Sequence, residues 1–436
     1  MRRSCFLALL PVLLWACSGE PRYMEPQLPV EKRVEDLLSR MSLEEKVAQA
    51  SAQLLFMNKF YEKRDYTKGH IRNVGHFLPD GRLPNDPKTV AERINEDTQK
   101  SMEANRWGIP VLQHGEALHG AQWGNATCFP QSIGMAATFD DDLYYREGQV
   151  VAQELRAVGV RQVYAPVINI TRDQRWGRGQ ESYGEDVLMN SRFGVAYVKA
   201  LEEGGVVATP KHFVDNYGEG GHDSFASITS WRELREVYLE PFRACVEEGG
   251  ARGIMSAYNA VDGIPASTNS KLLQDILKKE WGFPGIVVSD YGAVEIVAGN
   301  HRLAASEEEA LALSLNNGLD LQLANTSDGL LELVRTGKVS QKVLDEIVRR
   351  VLRIKFELGL FDEPLVVKTQ IDHVGNKSFT VLQILQNTAT GEVKCVCSQV
   401  MVYLDPETRL PAPLPQHWRD CFAAFEGREM TPPKKL

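Results

Sequence analysis

Gly285-Ile-Val-Val-Ser-Asp-Tyr-Gly292 is an apolar run closed by a carboxylate. Residues 285–289 have the length and β-branched content of a strand covered on both faces, and such strands belong to parallel sheets backed by helices. Asp290 stands where that strand ends. The same layout recurs outward in both directions. Strand-like runs at 109–112, 163–170, 206–209, 253–257, 285–289 and 319–323 alternate with helical stretches such as 232–246 and 272–281. Alternation of this kind predicts a parallel α/β sheet, open or closed. The polar residues decide between the two. Glu116, Arg178, Lys211, His212, Tyr258 and Asp290 fall at or just after the ends of different runs. In a closed (β/α)8 TIM barrel such side chains converge on one mouth, whereas an open sheet spreads them along an edge. An α/β TIM barrel is therefore expected.

Helical periodicity brackets this core. Val34, Leu37, Leu38 and Met41 recur at helical spacing, and Ser42-Leu-Glu-Glu45 reads as a capping box opening a second helix. Val343, Ile347, Val348, Val351 and Ile354 form the stripe of a closing helix, with Gly359 as its stop. Beyond residue 364 the texture changes to strand-like runs at 367–374, 379–386 and 393–404, with a hairpin loop at 387–391. Val396, Val400, Val402 and Leu404 share one face of the last run. Three antiparallel strands and a short tail at 418–425 leave that face uncovered, so self-association, or packing on the barrel, is expected of this segment.

The bulk properties set outer limits. With 43% hydrophobic and 25% charged residues the 436-residue chain is of soluble globular type, and a net charge of −9 argues against nucleic-acid binding. Met1-Arg-Arg followed by the short apolar run 6–15 has the layout of a signal peptide, here residues 1–16. Leu14-Trp-Ala-Cys17 resembles the bacterial lipobox, which implies lipidation of Cys17 and a periplasmic or outer-membrane-anchored lipoprotein; the simpler reading is a plain cleaved signal. Residues 17–30, with Pro21, Pro26 and Pro29, suit a tether. Cys128, Cys245, Cys395, Cys397 and Cys421 lack zinc-ligand spacing and read as buried or free thiols. Nothing in the sequence calls for a metal or an organic cofactor.

Several segments carry a family resemblance: Gly115-Glu-Ala-Leu-His-Gly120, Phe129-Pro-Gln-Ser-Ile-Gly134, Arg172-Asp-Gln-Arg-Trp-Gly-Arg178, Glu181-Ser-Tyr-Gly-Glu-Asp186, Lys211-His-Phe213, Met255-Ser-Ala-Tyr258 and Val288-Ser-Asp-Tyr291. In this order they make residues 31–364 resemble the barrel domain of family 3 glycoside hydrolases, the β-glucosidases and β-xylosidases. The resemblance implies retaining hydrolysis of terminal β-D-glycosides with Asp290 as nucleophile. It places Glu116, Arg178, Lys211 and His212 on the sugar hydroxyls, and Met255, Tyr258 and Tyr291 along the same pocket. The chemistry suits these residue types, since Arg and Lys donate charge-assisted hydrogen bonds and a carboxylate accepts several. Lys211 and Arg178 are also expected to keep Asp290 ionised. Arg172, Asp173 and Arg175 read as a structural ion network, and His119 as a packing or supporting residue.

A retaining enzyme needs a second carboxyl as acid/base, roughly 5–5.5 Å from the nucleophile. Most family members take it from an α/β sandwich domain after the barrel, and no stretch here reads as one. A smaller branch uses an Asp-His pair on the loop after Lys-His. In Val214-Asp-Asn-Tyr-Gly-Glu-Gly-Gly-His-Asp223 that pattern is lacking, His222-Asp223 is a poor substitute, and Glu219 is a conceivable one. Residues 365–436 instead resemble the second half of a hotdog-fold acyl-CoA thioesterase. The segments that carry this are Val374-Gly-Asn-Lys-Ser-Phe379, Thr390-Gly-Glu-Val393, Met401-Val-Tyr-Leu-Asp405, Pro413-Leu-Pro415 and Trp418. A fusion or frameshift near Leu365 would produce this join. Three readings stand open: a glycosidase impaired by a missing acid, a non-catalytic sugar-binding lipoprotein, and a truncated or fused product. Thioesterase activity has the least support.

Overall fold

A computed structural model describes residues 21–53, 66–72, 86–121, 125–218, 225–323, 329–361, 365–387, 393–406 and 408–428. The expectations for the signal peptide, Cys17, Glu219 and His222-Asp223 lie outside them, as does most of the 387–391 loop. The chain divides after Phe361 into two units.

The first unit opens with the helices Val30–Arg40 and Leu43–Gln49, the former burying Val34, Leu37 and Leu38. Between them Glu45 N–H donates to Ser42 Oγ at 3.3 Å and Ser42 N–H donates to Glu45 Oε2 at 2.7 Å, the expected capping box. Strands β1 (Ala52–Gln53), β2 (His70–Arg72), β3 (Leu112–Gly115), β4 (Gln162–Val163) and β5 (Val207–Ala208) pair in parallel in chain order. A small side sheet joins β6 (Ala226–Ser227) to β8 (Ala260–Val261) and β9 (Ile264–Pro265). Strand β7 (Gly253–Ser256) pairs in parallel with β10 (Ile286–Ser289), and parallel bridges Val167↔Lys211, Phe213↔Ser256 and Val288↔Leu321 continue the ladder.

Several paired strands are shorter than the apolar runs that predicted them. Prolines are the reason. Pro166 and Pro210 have no N–H to give, so regular pairing stops beside them. Their carbonyls still accept, from Lys211 N–H at 2.9 Å and Met255 N–H at 3.1 Å, which keeps the chain against its neighbour. The run at 109–112 likewise pairs later, as β3. The stretch 232–246 divides into Trp231–Glu233, a π-turn segment Leu234–Tyr238 and the helix Glu240–Glu247.

Adjacent strand residues sort into two apolar layers, as the pleat requires. Tyr164, Val207, Met255, Ile286 and Val288 join one apolar cluster with Ala52, Leu112, Leu321, Leu323 and the closing-helix residues Val351 and Ile354. Val163, Ala208, Ile254 and Val287 belong to a second cluster, among helix residues such as Val151, Leu155, Val198 and Leu277. Burying one such aliphatic side chain contributes about 1.5–3 kcal/mol. The closing helix Gln341–Glu357 starts on Ser340, whose hydroxyl accepts from Val343 N–H. It ends at Gly359, with φ +68°. There Leu360 N–H reaches Lys355 O at 3.0 Å and Gly359 N–H reaches Phe356 O at 2.9 Å, the paired bonds of a Schellman stop.

The second unit holds the three expected antiparallel strands, β11 (Leu365–Val374), β12 (Ser378–Asn387) and β13 (Val393–Val402). The tail is more ordered than expected, forming the helix Gln416–Glu426. Ile371, Val374 and Leu414 make a small core, joined by Phe379, Val381, Tyr403 and Phe422. Val396, Val400, Val402 and Leu404 stay 48–66% exposed. Among the described residues of the chain, no helix is long and apolar enough to cross a membrane.

Candidate active site

The polar groups gather because each follows the end of a different ladder strand. Glu116 follows β3, Lys211 and His212 come after β5, Tyr258 follows β7, and Asp290 follows β10 directly. Lys211 Nζ donates to Glu116 Oε2 at 2.8 Å, with the two side chains 6% and 19% exposed. His212 is completely buried.

Asn169 clamps the His212 residue from three sides. Its Nδ2 donates to His212 O at 2.9 Å, and its Oδ1 accepts from His212 N–H at 2.8 Å and lies 3.0 Å from ring Nδ1. The other ring nitrogen, Nε2, comes within 3.3 Å of Asp290 Oδ2. Asp290 Oδ1 accepts from Tyr291 N–H at 2.7 Å. Burial is the largest influence on the Asp290 carboxyl and pushes it above the ordinary value, while the charges of Lys211 and Arg178, Tyr291 N–H and the Tyr258 side chain pull downward. The two cations therefore act in the direction expected from the sequence, but burial outweighs them.

Arg178 is held by a bidentate pair to Glu181, at 2.9 and 2.8 Å. Its guanidinium lies 5.9 Å from the ring centroid of Trp176, whose Nε1 donates to Asn216 Oδ1 at 2.7 Å. Tyr258 O accepts from His301 Nε2 at 2.8 Å, which ties down the backbone beside the site. Met255 is 1% exposed within the cluster of Tyr164 and Val288, and Tyr291 packs against that cluster. The structural ion network divides in two: Arg175 pairs with Asp173 at 2.6 Å, while Arg172 reaches Glu233 at 3.3 Å. The His119 ring nitrogen Nδ1 lies 3.8 Å from Cys128 Sγ.

Two supporting residues were not singled out from the sequence. Asn169 sits inside the apolar run 163–170, and a buried amide there is itself a signal that something polar must meet it. Glu181 follows Arg178 by three residues, a spacing at which side chains meet on a helical turn. Among the described residues no cluster of His, Cys, Asp and Glu is disposed to hold a metal. A concavity of about 700 Å³ borders the Arg178 loop, lined by residues that include Thr171, Gln174, Gln180 and Glu185. A carboxylate in a dry position, with cations and donors around it, can attack an electrophilic carbon or grip hydroxyl groups.

Comparison with known proteins adds a context to this geometry. Residues 42–354 match the model of the glycosyl hydrolase family 3 N terminal domain. A β-xylosidase of Formosa agariphila is 37% identical over 313 residues, covering 66% of this chain and 43% of that protein. A periplasmic β-glucosidase of Salmonella typhimurium is 34% identical over 342 residues, covering 76% of this chain and 42% of that protein. Among solved structures, a β-glucosidase from Erythrobacter marinus superposes with a TM-score of 0.73 at 30% identity, covering 79% of this chain and 47% of the other. The chain spans less than half the length of these relatives. Their fold establishes the α/β architecture of TIM-barrel type for the first unit.

Proposed function

We propose that this chain, which belongs to glycoside hydrolase family 3, hydrolyses terminal non-reducing β-D-glycosides of glucosidase or xylosidase type, with retention and with Asp290 as nucleophile. The observation that carries this is the placement of Asp290. It follows β10 directly, with His212 at 3.3 Å and Tyr291 N–H at 2.7 Å on its two oxygens. One carboxylate oxygen attacks the anomeric carbon as the bond to the leaving oxygen breaks, and water later cleaves the glycosyl ester. Glu116, Arg178, Lys211 and His212 grip the hydroxyls of the terminal sugar. Met255, Tyr258 and Tyr291 shape its floor and wall.

The parallel ladder is read as closing into a (β/α)8 barrel across residues 31–364. The presence of Ala52 from its first strand and Leu321 and Leu323 from its last segment in one apolar cluster supports closure. Residues 1–16 are read as a signal, 17–30 as a tether lipidated at Cys17, and 365–436 as a partial hotdog-like segment with exposed β13 as a surface for self-association. Export has the support of a relative named periplasmic.

The test is intact mass after exposure to 2-deoxy-2-fluoro-β-D-glucosyl and xylosyl fluorides. A single adduct mapped to Asp290 is expected, and its absence with both reagents would sink the nucleophile reading. A second reading, a sugar-binding protein without turnover, draws on one observation. Among the described residues, the groups acting on Asp290 include cations and hydrogen-bond donors but no second carboxyl. If Asp290 reacts without such an acid, dinitrophenyl glycosides, whose leaving group needs no proton, should react much faster than disaccharides. Monosaccharide binding without any adduct would favour the second reading.

A further inference from the structure

The orientation of the Asn169 amide is fixed without reference to the His212 ring. Nδ2 must face the His212 carbonyl, to which it donates at 2.9 Å, and Oδ1 must face the His212 backbone N–H at 2.8 Å. The atom that meets ring Nδ1 at 3.0 Å is therefore an acceptor. Nδ1 must carry a hydrogen. A neutral imidazole with its hydrogen on Nδ1 presents a bare lone pair at Nε2. Here Nε2 lies 3.3 Å from Asp290 Oδ2, outside the alignment of a hydrogen bond, and the His212 side chain is 0% exposed. Two bare acceptors this close in a dry place repel, unless one of them is protonated.

We infer that Asn169 is a positioning residue for this site: its clamp keeps His212 Nε2 beside Asp290, so that the two groups together carry one proton at neutral pH. This rests on Asp290 being the nucleophile. The proton belongs on His212 for the reaction to proceed. As Asp290 bonds to the anomeric carbon and the leaving group departs with its electron pair, the proton stays on Nε2, which remains a cationic donor beside the new ester. Above the pH at which the pair gives up this proton, His212 turns its lone pair on Asp290 and ceases to donate there.

Among the described residues, the charged and titratable groups acting on Asp290 include Lys211, Arg178 and Tyr258. Lys211 and Arg178 act on Asp290 and are neutralised in turn by Glu116 and Glu181. Lys211 follows β5 beside His212, Arg178 comes from the loop after β4, and Tyr258 follows β7. Both cations favour loss of this proton, whereas burial of Asp290 favours its retention. A carboxylate in place of the Asn169 amide would add an anion against Nδ1 and stabilise the imidazolium.

The test follows the pH dependence of labelling of the full chain by 2-deoxy-2-fluoro-β-glycosyl fluorides. Fluoride leaves without a proton donor, so the profile reports the nucleophile and its neighbours. The basic limb should move up by about one pH unit in Asn169→Asp and down in Asn169→Ala. Unchanged limbs in both, with labelling merely slower, would overturn the inference and leave Asn169 a structural residue. Because either variant can misfold, 15N NMR of histidine-labelled wild type gives an independent reading. His212 should show hydrogen on both ring nitrogens at neutral pH, and hydrogen on Nδ1 alone in Asp290→Asn. A neutral ring protonated at Nε2 would refute it. If wild type forms no adduct at Asp290, the nucleophile reading fails first, and the NMR still decides the proton.

Discussion

At the scale of single residues the site is a contest between burial and charge at Asp290. Burial wins, so the carboxyl stays protonated to a higher pH than the ordinary 3.8. Since a nucleophile must be deprotonated, the acidic limb of the labelling profile should lie above that value. Replacing Lys211 with Met should push the limb higher still, because one of the two opposing cations is gone; a limb that stays put would show that Lys211 does not act on Asp290. Glu181 offers a second test. Its two bonds to Arg178 hold the guanidinium in place, and charged hydrogen bonds contribute about 1.5–3 kcal/mol each way they are measured. Glu181→Gln should therefore raise KM roughly tenfold or more on an activated glycoside, with kcat falling less. The sequence made the directly acting groups legible, since each is an unexpected polar residue at the end of an apolar run. It concealed Asn169, because nothing in a linear string says which ring nitrogen a buried amide will meet.

Elements read from periodicity came out closest to expectation where the side chains alone decide. The closing helix and the Ser42 capping box are of that kind. Strand lengths came out shorter, because pairing needs backbone donors that Pro166 and Pro210 lack, a point hydrophobicity does not register. The closing helix carries two predictions. Gly359 takes a left-handed φ of +68° in the stop, so Gly359→Ala should cost about 1–2 kcal/mol in urea unfolding. Within the same helix Lys355 is fully buried, its Nζ donating to Gln49 Oε1 at 2.6 Å and Gly69 O at 2.9 Å. Burial pushes its pKa from 10.5 down to about 7. Between those values the unfolded chain holds a proton that the folded chain has released, so unfolding free energy rises with pH there, by up to about 1.4 kcal/mol per unit. Below pH 7 the folded state bears the whole cost of the buried charge. Unfolding of Lys355→Met at pH 7 and pH 9.5 should show a flatter dependence; an equal slope would mean that another group sets it.

For the molecule as a whole, the groups recorded around Asp290 all belong to the unit ending at Phe361. A chain ended there should label at Asp290 at a rate within about threefold of the full chain, and a larger drop would assign the second unit a part in the reaction. In the second unit the three strands were legible as apolar runs, whereas the helix Gln416–Glu426 was read only as a short tail. The ladder has a further consequence, for the order in which the chain acquires its site. Glu116 and Lys211 meet across 95 residues of sequence, and His212 meets Asp290 only after β10 has joined β7. Contacts this distant in sequence form late, since a long loop must first be closed. A nascent chain that has emerged only as far as β7 can hold the Lys211–Glu116 clasp but not the completed pocket. A tight-binding sugar mimic added during refolding should therefore leave early collapse untouched and capture molecules only at the last kinetic phase.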